Sequence, residues 1–190
     1  MSSWEILITK GFTIQKWDFQ HVTIFIEKEF PFALDAFKNA RNHAEASDIA
    51  RYLIVYHFGG YYFDWDIELL DPDEFIQLCE QNRSGFLVQD PVNCSLASEA
   101  FAACPGESYL KILVENIVTI YLNGYRDSLS TPEYSGPYRM REVYYFLQRN
   151  SRQKLLPIKE IFVYDYWEIR EKPPYNGRAP MIHYWLHSWH

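Results

Sequence analysis

Polar and apolar positions fall into short alternating and helical stretches along the whole chain. Residues 4–8 and 13–17 carry the period-two alternation of strands, with Gly11 at the turn between them. Residues 21–30 fit either period. Residues 32–44 place small and apolar side chains at helical spacing, and Ser47 is the expected N-cap of a helix over 48–58. On that helix Ile49, Leu53 and Tyr56 form one stripe, with Ile54 and His57 near it. Gly59 ends it, since a residue that accepts positive φ suits the position after a last turn. Residues 61–66 then predict a strand that runs out at Asp66.

Further on, Asp71-Pro72-Asp73 predicts a turn into a helix over 74–81. Residues 85–88 and 96–103 predict strands, and 108–122 a long helix. A loop bearing Pro, Ser and Gly follows over 125–138, then a helix over 139–149, a last strand over 158–164 and a loop-like tail from Pro173. Nothing repeats, and no linker or low-complexity tract divides the sequence, so residues 1–190 are expected to form one domain. Strands alternating with helices predict an α/β sheet with helices on both faces.

The composition narrows the classes. At 190 residues the chain can bury a core without metal or disulfide staples. Aromatic residues make up 18%, a high share, and most are expected to fill the core while some remain to stack on sugars or bases. A formal charge of -7 argues against a protein that tracks nucleic-acid phosphates. Cys79, Cys94 and Cys104 give neither a disulfide framework nor a zinc site, and point to a reducing, cytoplasmic setting. With no apolar run of about 18 residues or more, no signal peptide and no polybasic anchor, no transmembrane segment is expected in this chain. A peripheral membrane location, or a tether carried by a longer protein, stays open.

Candidate chemistry concentrates in two places. In Gly59-Gly60-Tyr61-Tyr62-Phe63-Asp64-Trp65-Asp66 the two aspartates sit two apart, which on a strand puts both carboxylates on one face. An isolated Asp-x-Asp is ordinarily a solvated acidic turn. Here Phe63 and Ile67 suggest a buried strand, where two close carboxylates call for a cation between them, and oxygen donors suit Mn²⁺ or Mg²⁺. Asp48 and Arg51 lie three apart on the expected helix and share a face, as an exposed ion pair would. The second place is the tail, where His183, Trp185, His187, Ser188, Trp189 and His190 crowd into residues 181–190.

Residues 46–70 combine Ser47-Asp48-x-x-Arg51, the helix after it, Gly59-Gly60 and an Asp-x-Asp ending in Ile67-Glu68. That combination resembles the DXD sugar-binding region of glycosyltransferases related to yeast initiating mannosyltransferases, bacterial capsule-synthesis enzymes and clostridial glucosylating toxins. The resemblance implies a GT-A-like fold, a Rossmann-type nucleotide-binding sheet flanked by helices, with ligands at the carboxyl ends of the strands. It also implies that Asp64 and Asp66 serve catalysis and hold the metal, Mn²⁺ or Mg²⁺. Ser47, Asp48, Arg51, Tyr62 and Asp64 would then line the donor pocket, and Glu99 stands where the family often has Asn near the sugar. Ser135-Gly136-Pro137 is similar to a Thr-Gly-Pro loop near the acceptor. The family's closing His-x-Trp-x-x-Ser-Trp segment is matched by His183, Trp185, Ser188 and Trp189, so His183 is expected as a further metal ligand, with Ser188 and Trp189 on phosphate oxygens. Residues 181–190 are expected to close over the bound nucleotide as a lid.

The family's opening Ile-Pro-x-x-Ile-His-x-x-Trp strand finds no match before Trp4, so the usual first strand is expected to be lacking. The function implied is a retaining, metal-dependent hexosyltransferase in the style of polysaccharide biosynthesis. It would take a nucleotide-sugar donor, UDP-hexose favoured and GDP-mannose next, and a glycan or lipid-linked hydroxyl acceptor. The alternative from another class is a degenerate nucleotide-sugar-binding domain without catalysis. A phosphohydrolase built on the aspartate pair ranks lower, because no third acidic ligand stands out.

Overall fold

The computed structural model describes residues 3–147 and 150–186. Its first half builds α1 (Phe19–Glu29), α2 (Leu34–Lys38), α3 (His43–Phe58), β1 (Gly60–Phe63), β2 (Ile67–Leu69), α4 (Pro72–Gln81) and β3 (Gly85–Asp90). The second half adds β4 (Ser95–Ala103), α5 (Ser108–Leu122), α6 (Thr131–Tyr134), α7 (Pro137–Phe146), β5 (Lys154–Pro157), α8 (Ile158–Ile161), α9 (Glu168–Glu171) and β6 (Met181–His183).

Local chemistry moved several boundaries. The expected strand over 4–8 is a tight 3-10 helix, Ser3–Lys10, because Trp4 and Leu7 face the same way at its three-residue period. Trp4 stacks on Phe63 at 4.8 Å between centroids and donates its indole N–H to the Ile67 carbonyl at 2.8 Å. Residues 13–17 form no strand; Trp17 instead packs against Phe25 and Phe58. The helix expected over 32–44 breaks after Lys38, and Asn42 caps α3 by accepting from the Glu45 N–H at 2.9 Å. Ser47 is therefore inside α3, not its cap. The Asn-x-x-Glu spacing is an N-terminal signature in its own right. Gly59 ends α3 at φ 70°, and a Cβ there would lie 2.6 Å from Pro105. Where a strand is expected over 158–164, residues 158–161 form α8, and the strand lies just before it as β5, with Pro157, unable to donate a ladder hydrogen bond, at the joint.

The main sheet has the order β1-β4-β3-β5, and a two-stranded ribbon pairs β2 with β6. β4 runs antiparallel to both β1 and β3, while β3 and β5 are parallel, so β1, β3 and β5 all point one way. The connection from β3 to its parallel partner β5 is long, passing through β4, α5, α6 and α7. One apolar cluster lies between the sheet and α1, α3, α5 and α7, with Leu87 and Phe101 turned to it. Phe86, Val88, Ala100 and Ala102 face the other way, onto α4, α8 and the β2–β6 ribbon. Helices on both faces of a mixed sheet are what the alternation of elements predicts.

Two irregularities shape the functional edge. β1 stops at Phe63, and residues 64–66 make a turn closed by the Ile67 N–H donating to the Asp64 carbonyl at 3.1 Å. The two aspartates therefore do not share a strand face; one closes the main sheet and the other opens the ribbon. In β4, Phe101 pairs with Leu87 while Leu96 pairs with Gln89, so residues 97–100 form a bulge opposite a single residue of β3. Bulges of this kind re-aim side chains and gather next to active sites.

Residues 181–183 are built into this architecture. Met181 pairs with Leu69 and is wholly buried, and Met181–His183 is a strand rather than part of a lid. Replacing Met181 by Ala is expected to lower unfolding free energy by about 2–5 kcal/mol in urea titrations, as for other buried Met positions. A loss under about 0.5 kcal/mol, the scale of surface changes, would show that the segment does not belong to the core.

Candidate active site

α3 delivers Arg51 to the carboxyl edge of β1. The helix stripe that buries Ile49, Leu53 and Tyr52 leaves Asp48 and Arg51 pointing at that edge, Asp48 fully buried and Arg51 6% exposed. Arg51 donates through Nη1 to the Ser98 carbonyl in the β4 bulge at 2.8 Å and through Nε to the Ser47 carbonyl at 3.2 Å. It pairs with Asp64 at 3.2 Å and Asp48 at 3.6 Å, and its guanidinium lies 4.7 Å from the Tyr62 ring centroid. Burial works against its charge, but the adjacent carboxylates, Asp64 first, more than offset this and raise its pKa. The pair that spacing alone allowed on an exposed face is thus interior.

Asp64 and Asp48 are each oriented by a hydroxyl. Tyr62 donates to Asp64 Oδ1 at 2.6 Å, and Ser135 donates to Asp48 Oδ2 at 2.7 Å. Asp48 Oδ1 is buried without a hydrogen-bond partner. Desolvation pushes the Asp48 carboxyl up to about 7, with Arg51 and the Ser135 hydroxyl acting in the opposite direction. Burial likewise raises the Tyr62 phenol and the Glu99 carboxyl.

Asp66 belongs to a different group. Its Oδ2 accepts from the Leu186 N–H at 2.9 Å and lies 3.2 Å from His183 Nε2. The register of β2 against β6 places His183 opposite Ile67, next to Asp66, although the two are far apart in sequence. The Tyr184 N–H donates to the Asp66 carbonyl at 3.2 Å, and Trp185, at φ 45°, turns its ring onto His183 with centroids 4.1 Å apart. His183 Nδ1 is buried without a hydrogen-bond partner and lies 3.8 Å from Glu99 Oε1.

The donor set fits a hard divalent ion in one respect. Bonds of about 2.0–2.2 Å place adjacent octahedral donors about 3 Å apart, close to the 3.2 Å between Asp66 Oδ2 and His183 Nε2. No group of three or more His, Cys, Asp or Glu placed to hold a metal occurs among the described residues. The ion would therefore rest on these two side chains and draw its other ligands from phosphate and water, as Mg²⁺ and Mn²⁺ sites with nucleotides do.

The structure brings Asp48, Arg51, Tyr62 and Asp64 into one cluster and Asp66, His183 and Glu99 into another beside it. The two clusters join where the Asp64 N–H donates to the Glu99 carbonyl at 2.9 Å. Ser47 is exposed and contributes only its carbonyl, to Arg51. Ser188 and Trp189 lie outside the described residues. One participant has no signal in the motif: Ser98, which serves through its backbone carbonyl. Ser135, which the resemblance sets in a loop near the acceptor, holds Asp48 through its hydroxyl.

Residues 4–84 match the family described as a glycosyltransferase sugar-binding region containing a DXD motif. Inositol phosphoceramide mannosyltransferase 1 of Schizosaccharomyces pombe is 23% identical over 107 residues, covering 56% of this chain and 32% of that protein. The mannosyl phosphorylinositol ceramide synthase SUR1 of Saccharomyces cerevisiae is 45% identical over 42 residues, which are 22% of this chain and 11% of its own. These matches span about a third or less of the curated relatives' length. Among solved structures, the PaToxG glycosyltransferase superposes with a TM-score of 0.53 at 15% identity, over 76% of this chain and 50% of that one, a likeness in fold.

The Asp48 environment sets a pH dependence of stability. Its folded pKa, about 7, lies above the ordinary 3.8, so the folded state holds a proton that the unfolded chain releases. Stability from this group is present below about pH 4 and lost as pH rises to about 7, at up to about 1.4 kcal/mol per unit. Urea titrations between pH 4.5 and 7.5 are expected to show wild type losing stability relative to Asp48→Asn. A difference independent of pH would contradict the assignment.

Proposed function

Because residues 4–84 carry the DXD-containing sugar-binding region of glycosyltransferases, we propose that this chain transfers a hexosyl group from a nucleotide sugar to a hydroxyl acceptor. In this reading Asp66 and His183 hold Mn²⁺ or Mg²⁺ against the donor diphosphate. The observation that carries it is the 3.2 Å approach of these two buried side chains from distant parts of the chain, at the carboxyl edge of β1. The bound ion supplies Lewis acidity for departure of the nucleoside diphosphate.

The protein's part is positioning. Asp64, whose side chain is 21% exposed, is the acidic group of the first cluster that reaches the open side. Held by Tyr62 and Arg51, it accepts hydroxyls of the donor. Fully buried Asp48 acts behind it, fixing Arg51 and the Ser135 loop. No side-chain nucleophile is assigned, and retention of the anomeric configuration rests on the family likeness.

The two curated relatives described above are named for mannosyl transfer to an inositol-phosphate-bearing ceramide. Mannose is therefore the first donor sugar to test, ahead of a UDP-linked hexose, and an inositol phosphate lipid the first acceptor. Among the described residues no helix is long and apolar enough to cross a membrane.

Calorimetric titration of UDP and GDP with and without Mn²⁺ tests the reading. Binding of at least one is expected only with metal, and Asp66→Asn, which keeps an acceptor for the Leu186 N–H, is expected to weaken it about 100-fold or more, the loss of a first ligand exceeding that of a supporting residue. Metal-independent binding, or full binding by Asp66→Asn, would refute the site. Release of sugar from a donor panel by the folded protein separates an enzyme from a binding domain.

A further inference from the structure

Glu99, which the resemblance sets near the sugar, also faces the imidazole of His183. It sits in the β4 bulge, the one residue of that strand not buried, and its side chain is 17% exposed. Its carbonyl accepts from the Asp64 N–H, so its backbone is pinned beside the aspartate turn. The carboxylate lies 3.8 Å from His183 Nδ1, beyond a hydrogen bond but within reach of a small side-chain rotation. That nitrogen is buried, has no hydrogen-bond partner and belongs to an imidazole wedged between Trp185 and Phe162. A buried polar atom without a partner is costly unless the site closes on it.

We propose that Glu99 is a positioning residue for His183: it accepts the Nδ1–H and so turns the Nε2 lone pair toward Asp66. An imidazole that binds a metal through Nε2 must carry its remaining proton on Nδ1. Among the groups facing His183, Asp66 is on the Nε2 side and Glu99 on the Nδ1 side, while Trp185 and Phe162 cover the ring. A carboxylate behind a metal-bound histidine fixes the tautomer and raises ligand basicity. The bulge supplies the means: residues 97–100 span what one residue of β3 faces, which swings Glu99 toward the ribbon that carries His183.

This inference rests on the proposed metal site, and the test separates the two. Mn²⁺ affinity is measured by electron paramagnetic resonance for wild type, Glu99→Ala, Glu99→Gln and Asp66→Asn. Glu99→Ala is expected to bind Mn²⁺ about 10–100-fold more weakly, and Glu99→Gln, which keeps an acceptor oxygen, to recover affinity to within about threefold of wild type. On ¹⁵N-histidine protein loaded with Zn²⁺, the Nδ1–H proton is expected to exchange slowly in wild type and Glu99→Gln and quickly in Glu99→Ala. Wild-type affinity in Glu99→Ala, or equal loss in Glu99→Gln, overturns the role of Glu99. Unchanged affinity in Asp66→Asn overturns the metal site itself.

Discussion

The buried guanidinium of Arg51 is the constraint on which this edge of the molecule depends. A cation 6% exposed is tolerable only when carboxylates and carbonyls surround it, and Arg51 is met by Asp48, Asp64 and the carbonyls of Ser47 and Ser98. Those partners come from α3, the β1 turn and the β4 bulge. Satisfying one charge therefore locks three elements together. It also commits Asp64 to the protein, since the oxygen that meets Arg51 accepts from Tyr62 as well.

That commitment divides the labour of the Asp-x-Asp pair. Asp64 is spoken for by α3 and β1, while Asp66 looks across to β6, where His183 and the Leu186 N–H meet it. The turn at 64–66 makes the division sharp by ending one sheet and starting another. The two sheets abut at this turn, and under the proposed function one side would orient the donor and the other would hold the ion. Pairing residues 181–183 with β2 sets His183 beside Asp66.

The sequence made much of this legible, for identifiable reasons. α5 was readable to the residue because fifteen positions carry an unbroken helical period. Asp64, Asp66 and His183 were singled out by the family resemblance, and the structure sets Asp64 against Arg51 and Asp66 against His183. What escaped was governed by contacts distant in sequence. Trp4 reads as part of a strand until Phe63 and Ile67 are seen to bind it. A local contact escaped as well: Asn42 takes the cap that Ser47 seems made for by accepting from the Glu45 N–H at 2.9 Å, while Glu45 accepts from the Arg41 N–H just before the cap. Ser98 acts through a carbonyl, for which no side chain speaks. The bulge that presents Glu99 exists only in the register of two strands, and the burial of Asp48 depends on a loop that returns from residue 135.

The central claim is that the second aspartate and His183 together form the metal-holding half of the site. Pulsed electron paramagnetic resonance of Mn²⁺ bound with a nucleoside diphosphate tests it most directly, because a directly bound imidazole nitrogen couples to the manganese electron spin. The account predicts a ¹⁴N coupling in the wild-type complex that disappears in His183→Gln. A wild-type complex that binds Mn²⁺ with no nitrogen coupling, or one whose coupling survives in His183→Gln, would contradict it.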